Sequence, residues 1–127
     1  MKKSIINIRG LSIKNYKRDE NAYDLHILVE VDGERKILAK RYSYAKPEEI
    51  IGNVIQTIKN KFSDYDPFED NPLEQGMILM QNFEDVEDKM INFIKRVHDK
   101  IRDFKSNKSH TNYINLYNSI DGLSVSF

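Results

Sequence analysis

A chain of 127 residues can bury one continuous core but is too short for two independent ones, so a single domain is expected. Its 39% hydrophobic and 31% charged residues are typical of a folded chain and argue against a disordered or fibrous protein. Twenty basic residues balance twenty acidic ones, so no net field attracts the chain to nucleic acid or to an anionic membrane. The absence of cysteine excludes disulfides, cysteine-based zinc sites and a thiolate nucleophile.

The sequence also bears on location and origin. No stretch is apolar for long enough to be a signal peptide or a membrane span, so we expect a cytoplasmic protein. Ile and Asn are frequent and Trp is absent, which is typical of AT-rich genomes and favours a phage or mobile element as the source. Residues 1–45 carry ten basic against six acidic residues, whereas residues 46–76 carry three against seven. We therefore expect a molecule whose charge is polarised.

The first segment of the chain predicts a β-strand with an irregularity. Its apolar residues alternate at Ile6 and Ile8 and again at Leu11 and Ile13, but the parity changes between the two pairs. A β-bulge inserts one extra residue and restores such a pattern to one face. The sequence therefore predicts a strand that bulges at Gly10.

The next two segments predict a β-hairpin. The first of them alternates strictly between apolar and polar residues and is the clearest strand pattern in the chain. Asp32-Gly33 then supplies the positive φ angles of a tight turn. A two-residue turn would place Leu28 opposite Ile37, and a three-residue turn would place Val29 opposite Ile37. The sequence leaves this register open.

A helix and a loop are predicted after this sheet. Pro47, followed by two glutamates, is typical of a first helical turn, and apolar residues then recur on one stripe as far as Phe62. We expect a helix of about 16 residues that covers the sheet. Two prolines and several carboxylates in residues 63–76 predict an irregular acidic loop. This loop fails the EF-hand pattern at Glu69 and Gln75, so we expect it to be solvated rather than to bind calcium.

Residues 77–106 predict one long helix with a coiled-coil-like apolar seam. The seam residues recur at spacings of three and four and are Phe83, Val86, Met90, Phe93, Val97, Ile101 and Phe104. A 30-residue helix would be roughly 45 Å long, more than the first helix can cover. We therefore predict a homodimer formed through this seam, with the C-terminal tail folding back over it as the alternative. The carboxylates Glu84, Glu87 and Asp88 suit the positive end of the helix dipole without a metal ion.

Residues 107–127 predict a short helix and then a strand, because helical spacing gives way to alternation after Gly122. This strand could join its own sheet or that of a partner. The whole chain is thus predicted to be one α+β domain built of a three-stranded antiparallel meander, a packed helix, a long second helix and a helix-strand tail. Its segments are the sheet 1–45, the helix 46–62, the acidic loop 63–76, the long helix 77–106 and the tail 107–127.

Basic and aromatic residues of the third strand are the candidate ligand- or nucleic-acid-binding residues. They are Arg35, Lys36, Lys40, Arg41, Tyr42 and Tyr44. The run from Asp32-Gly33 through this strand into the helix that starts at Pro47 resembles the strand-turn-strand-helix layout of the arm-site DNA-binding domains of phage integrases. The resemblance implies a DNA-binding module, and the alternative is a charged, solvated sheet face.

Aromatic residues give another possibility, a pocket between the sheet, the acidic loop and a partner subunit. Rings there could stack on a nucleotide-like ligand while Arg or Lys contacts its phosphates. The candidates are Tyr16, Tyr23, Tyr42, Tyr44, Tyr65 and Phe68.

Catalytic and metal-binding motifs are missing from the sequence. No serine lies in a Gly-x-Ser-x-Gly elbow, and no glycine cluster could cradle a phosphate. His26, His98 and His110 fall on different segments and are expected to be ordinary surface residues, so neither a metal nor a cofactor is expected. We predict a non-enzymatic binding or regulatory protein that occupies or sequesters a protein partner or a nucleotide-like ligand. A DNA-binding module is the first alternative, and a small nucleotide- or ester-processing enzyme is the second.

Overall fold

A computed structural model describes residues 3–18, 20–43, 45–62, 77–106 and 119–127 of the chain. These residues form an α+β fold, as predicted. Its elements, in chain order, are β1 (Lys3–Lys17), β2 (Ala22–Val31), β3 (Glu34–Ser43), α1 (Pro47–Phe62), β4 (Met77–Met80), α2 (Phe83–Ser106) and β5 (Ser124–Ser126). The predicted acidic loop and the predicted tail helix up to residue 118 lie outside the described residues.

The sheet is built around β1, the longest strand. On one side β1 pairs antiparallel with β2, and β2 pairs antiparallel with β3, which gives the predicted meander. On its other side β1 pairs in parallel with β4, where Ser4 lies opposite Ile78. Further along the same side it pairs antiparallel with β5, where Leu11 lies opposite Val125. The C-terminal strand therefore completes the sheet of its own chain.

The bulge predicted at Gly10 is confirmed. Ile8 lies opposite Val29, but Gly10 lies opposite Leu28, so one extra residue stands between two consecutive residues of β2. This keeps the apolar residues on either side of the bulge on one face. Glycine is also required by space, because a Cβ atom here would lie 2.9 Å from the carbonyl oxygen of Val125.

The hairpin between β2 and β3 adopts the shorter of the two open registers. Asp32 and Gly33 both have positive φ, at 51° and 87°, as a two-residue turn of this handedness requires. Leu28 consequently lies opposite Ile37. The φ angle of Gly33 explains why glycine follows the aspartate.

The two helices and one face of the sheet enclose the hydrophobic core. α1 spans the 16 residues expected, and its apolar stripe is buried. The side chains that are completely or almost completely buried include Ile6, Ile8, Leu11, Ile13, Leu25, Ile27, Val29, Val54, Ile58, Met90, Ile94 and Val97. Within the described residues, no helix is both long and apolar enough to cross a membrane.

The prediction of a helix over residues 77–106 is wrong at its beginning. Met77–Met80 form β4, and the helix begins at Phe83. The boundary is set by Asn82, whose side chain accepts a hydrogen bond from the Ile8 N–H and donates one to the Ile8 carbonyl, both at 2.8 Å. Its main-chain carbonyl also accepts hydrogen bonds from the first turn of α2. Asn82 thus holds the junction between β4 and α2 to β1 and immediately precedes the helix.

The apolar seam of α2 lies in the core of its own chain. Phe83 is half-buried, and the other six seam residues are buried. The helix has 24 residues and is about 36 Å long, shorter than expected. The prediction of a homodimer depended on an exposed seam. The described helix has no such seam, so dimerisation through α2 stays a prediction without that support.

Candidate functional site

The sheet has one face covered by α1 and α2 and another that we call the open face. Side chains alternate between the two faces along each strand. In β2 the odd-numbered residues from Tyr23 to Val29 are buried on the covered face, and the even-numbered residues between them are only half-buried. The open face carries a shallow groove of about 270 Å³ whose lining includes Gly10, Ser12, Lys14, His26, Leu28, Ile37, Ser124 and Ser126.

An apolar pair lies on the open face beside the outer edge of the sheet. Leu28 on β2 and Ile37 on β3 are directly opposite each other, so their side chains are neighbours. Leu28 is half-buried, whereas Ile37 is 66% exposed, the highest value for a large hydrophobic residue in the described part of the chain. Folding therefore leaves most of the Ile37 side chain in water, where a partner could bury it.

Ion pairs surround this apolar pair. Arg9 donates to a carboxylate oxygen of Glu30 at 3.3 Å. Arg41 donates to Asp24 at 2.8 Å, and Asn15 donates to the same carboxylate at 3.0 Å. The hydrogen bond from Arg41 is the main reason that the pKa of Asp24 is held below its ordinary value. The apolar pair is thus flanked along the strands by charged residues with fixed partners.

The structure divides the predicted β3 site between the two faces. Arg35 and Arg41 lie on the open face, next to Glu30 and Asp24 of β2. Lys36, Lys40 and Tyr42 lie on the opposite side, towards α1, and Tyr44 lies outside the described residues. Alternation along a strand separates residues that are adjacent in sequence, so these side chains do not form one site.

Tyr42 has a structural role. Its hydroxyl donates a hydrogen bond to the side-chain oxygen of Asn53 in α1 at 2.8 Å, and burial raises its pKa. Lys40 donates to Thr57 at 3.4 Å, and its ammonium lies 6.0 Å from the centre of the Tyr42 ring. A shallow cleft of about 310 Å³ beside Tyr42 also contains Glu49. Tyr42 thus joins β3 to α1, and its hydroxyl group is already hydrogen-bonded within the chain.

The predicted aromatic pocket is not formed by the described aromatic residues. Tyr16 and Tyr23 are only 2% and 1% exposed and belong to the core, where Tyr16 makes an edge-to-face contact with Phe104. Tyr65 and Phe68 lie outside the described residues. Large aromatic side chains stabilise a small core efficiently, which is the role these two tyrosines have.

His98 is not the surface residue that was predicted. It is 5% exposed, and its Nε2 atom lies 3.0 Å from the hydroxyl of Tyr23 in a buried hydrogen bond. Burial lowers the pKa of His98 and raises that of Tyr23, since both charged forms are disfavoured away from water. The sequence signal was its position next to Val97 and four residues after Ile94, on the edge of the buried stripe.

The open face does not contain a catalytic constellation among the described residues. Ser12 lies opposite His26, but no hydrogen bond joins their side chains in the described part of the chain. Asp24, the nearest carboxylate along β2, is held by Arg41 rather than by the histidine. A nucleophile needs a base within hydrogen-bond reach and a third group to orient that base. The described ranges also contain no cluster of three His, Asp or Glu side chains that could hold a metal ion.

Comparison with known proteins adds no relative. No protein-family model, curated protein or solved structure matches this chain. The function is therefore inferred from the chemistry of the open face and of β3.

Proposed function

We propose that this chain is a non-enzymatic binding protein that holds a protein partner against the open face of its sheet. The observation that carries this proposal is the exposure of Ile37, which is 66% exposed beside Leu28 on that face. Protein interfaces combine apolar contacts with polar, solvated surroundings, and charged residues lie on both sides of this pair along the strands.

Charge indicates which partner is favoured. Arg41 and Arg9 are already paired with carboxylates of β2, but within the described residues no carboxylate lies within ion-pair distance of Arg35 or Lys40 of β3. A partner segment that brings apolar residues to Ile37 and carboxylates to the cations of β3 would match this strand in both respects. We propose such a segment as the ligand. The absence of cysteine also fits the reducing cytoplasm, which we propose as its location.

DNA binding has weaker support. The strand-turn-strand-helix order that suggested it is formed by β2, β3 and α1. However, the cations of β3 point to both sides of the sheet, and Arg41 is neutralised by Asp24 and lies 3.6 Å from Glu20. A phosphate backbone is best bound by cations that share one surface.

A random peptide library, selected on the immobilised full chain, tests the proposal. We expect enrichment of peptides that contain both apolar and acidic residues. Their affinity should fall by at least about tenfold in Ile37→Asp, because the exposed apolar side chain is replaced by a charge that also repels the ligand. Asn92→Asp, at an exposed position of α2, introduces the same charge elsewhere and should leave binding unchanged.

Two results would contradict the proposal. One is a set of peptides that binds Ile37→Asp as tightly as the unchanged chain. The other is no peptide enrichment together with oligonucleotide binding that weakens steeply with salt, which would favour the DNA-binding alternative.

A further inference from the structure

β3 is an edge strand with an unpaired outer side. It has ten residues, Glu34–Ser43, and within the described residues it pairs only with β2. The outer side of such a strand presents a row of main-chain N–H and C=O groups that another extended chain can pair with. All residues of β3 except Leu38 and Tyr42 are exposed.

The hairpin geometry shows which residues point these groups outwards. In a hairpin with a two-residue turn, the pair that flanks the turn, here Val31 and Glu34, exchanges both hydrogen bonds. Every second residue of β3 from Glu34 therefore bonds to β2, and the residues between them point outwards. The same alternation holds on the β2 side of the hairpin. The N–H of Asp32, the residue after Val31, points away from β3 and donates to the Ile5 carbonyl of β1 at 2.9 Å.

The outward-pointing main-chain groups belong to the residues whose side chains lie on the open face. They are those of Arg35, Ile37, Ala39 and Arg41. A strand added here would thus form its hydrogen bonds beside the exposed side chain of Ile37. On the covered side of the sheet, its alternate residues would lie next to Lys36 and Lys40, which are both exposed.

Charge decides between possible occupants of this edge. β3 carries four cations, Arg35, Lys36, Lys40 and Arg41, against one anion, Glu34. If two copies of β3 paired about Leu38, Arg35 would lie opposite Arg41 and Lys36 opposite Lys40. Like charges directly opposite each other are destabilising, and edge cations are a known protection against self-pairing. A strand with acidic residues would instead place opposite charges next to each other.

We infer that the protein partner binds by strand addition at β3. An extended segment of alternating acidic and apolar residues pairs with the outer edge, its apolar residues next to Ile37 and Ala39 and its carboxylates next to Lys36 and Lys40. The added strand extends the sheet by one strand. This inference rests on the proposed function and specifies how the partner is held.

A proline substitution at Ala39 tests the inference with a defined probe. The probe is a fluorescein-labelled peptide of eight residues that alternates Glu and Val, and its binding is measured by fluorescence anisotropy. Ala39→Pro removes an N–H group that points outwards, so the hydrogen bonds to β2 are kept, as prolines on edge strands allow. We expect the probe to bind the unchanged chain and the Ala39→Pro variant to bind it at least about tenfold more weakly. Ala39→Ser keeps the N–H and should bind normally.

Amide hydrogen exchange gives a second readout that needs no substitution. In the free chain the amides of Ile37, Ala39 and Arg41 should exchange fast, while those of Lys36 and Leu38 are already protected by β2. Saturating probe should slow the first group at least about tenfold and leave the second group unchanged. This alternation by residue is specific to strand addition, because a ligand lying flat on the open face protects no such series.

The outcomes separate the inference from the proposed function. If Ile37→Asp abolishes binding of the probe but Ala39→Pro binds it normally and no alternating protection appears, strand addition is wrong and binding on the open face stands. If neither substitution weakens binding, both are wrong. Sedimentation of the free chain as a dimer that Ala39→Pro dissociates would assign the edge to a second copy. Displacement of the probe by oligo-dT at equal affinity would assign it to nucleic acid, and either result overturns the inference.

Discussion

The two faces of β2 differ in burial. Leu25, Ile27 and Val29 are completely buried under the helices, whereas His26 and Leu28, which alternate with them, are partly exposed to solvent. The covered face of β2 is apolar, and its open face mixes aliphatic, imidazole and carboxylate groups. Neighbouring residues of one strand thus contribute to the core and to the proposed binding surface.

The largest difference in stability between the two faces is expected for substitutions at the adjacent residues Ile27 and Leu28. Ile27→Ala removes completely buried methyl and methylene groups and leaves a cavity, so we expect it to lower the free energy of unfolding by about 2–5 kcal/mol. Leu28→Ala on the open face should cost less than about 1 kcal/mol, since its side chain keeps contact with water. Urea unfolding of both variants measures the difference. Equal losses would show that the open face is covered in the folded chain.

The close approach of Gly10 on β1 to β5 gives the next prediction. In Gly10→Ala the new Cβ atom would lie 2.9 Å from the Val125 carbonyl, a main-chain atom of β5, so one of the strands must shift. We expect a loss of about 1–3 kcal/mol and faster amide exchange in β5. The measurement is thermal unfolding combined with hydrogen exchange. An unchanged exchange rate in β5 would mean that the strand does not depend on this close approach.

The buried histidine makes stability depend on pH. The pKa of His98 is lowered in the folded chain, so the unfolded chain binds a proton first as the pH falls below the ordinary value of 6.5. The contribution of neutral, buried His98 to the free energy of unfolding is therefore present above that pH. It is lost on acidification, by at most about 1.4 kcal/mol per pH unit. Between pH 7.5 and 5.5, thermal unfolding should show a larger loss of stability for the unchanged chain than for His98→Gln, which has no titrating group at this position. Parallel pH profiles would place the histidine in solvent.

The smallest expected effect is a gain in stability. Gly52 lies in the middle of α1, is exposed, and has no atom within 4 Å of the position of an added Cβ. Gly52→Ala should therefore stabilise the chain by about 0.5–1 kcal/mol, because alanine loses less backbone entropy in a helix. Urea unfolding measures this gain, which has the opposite sign to the effect at Gly10. A loss of stability would show that α1 is contacted at this point.

Local patterns in the sequence were sufficient to predict most of the fold. The change of parity at Gly10, the turn at Asp32-Gly33 and the start of α1 at Pro47 all depend on residues close together in the chain. β4 could not be predicted in this way, because a four-residue apolar run is compatible with both helix and strand. It is a strand because it pairs with β1, more than 70 residues away in sequence. Asn82, a residue favoured before helices, was the available signal.

The candidate site was harder to predict than the fold. The sequence pointed to β3, but it grouped cations that alternation places on two faces of the sheet. The exposure of Ile37 depends on which face the helices cover, and this is set by packing rather than by local pattern. The buried position of His98 was missed because it lies at the margin of the α2 stripe, where one helical turn decides between core and solvent.

The pairing of β1 has a consequence for synthesis of the chain on the ribosome. Leu11 is made early, but its partner in β5, Val125, follows 114 residues later. β1 and β2 can pair as soon as both have emerged, whereas the other side of β1 must wait for residues 77–80 and then for residues 124–126. During translation this side of β1 is an unpaired strand edge, as the outer side of β3 is in the folded chain. A nascent chain that stalls before residue 124 would therefore carry unpaired main-chain groups around Leu11, the kind of edge that chaperones and other nascent chains bind.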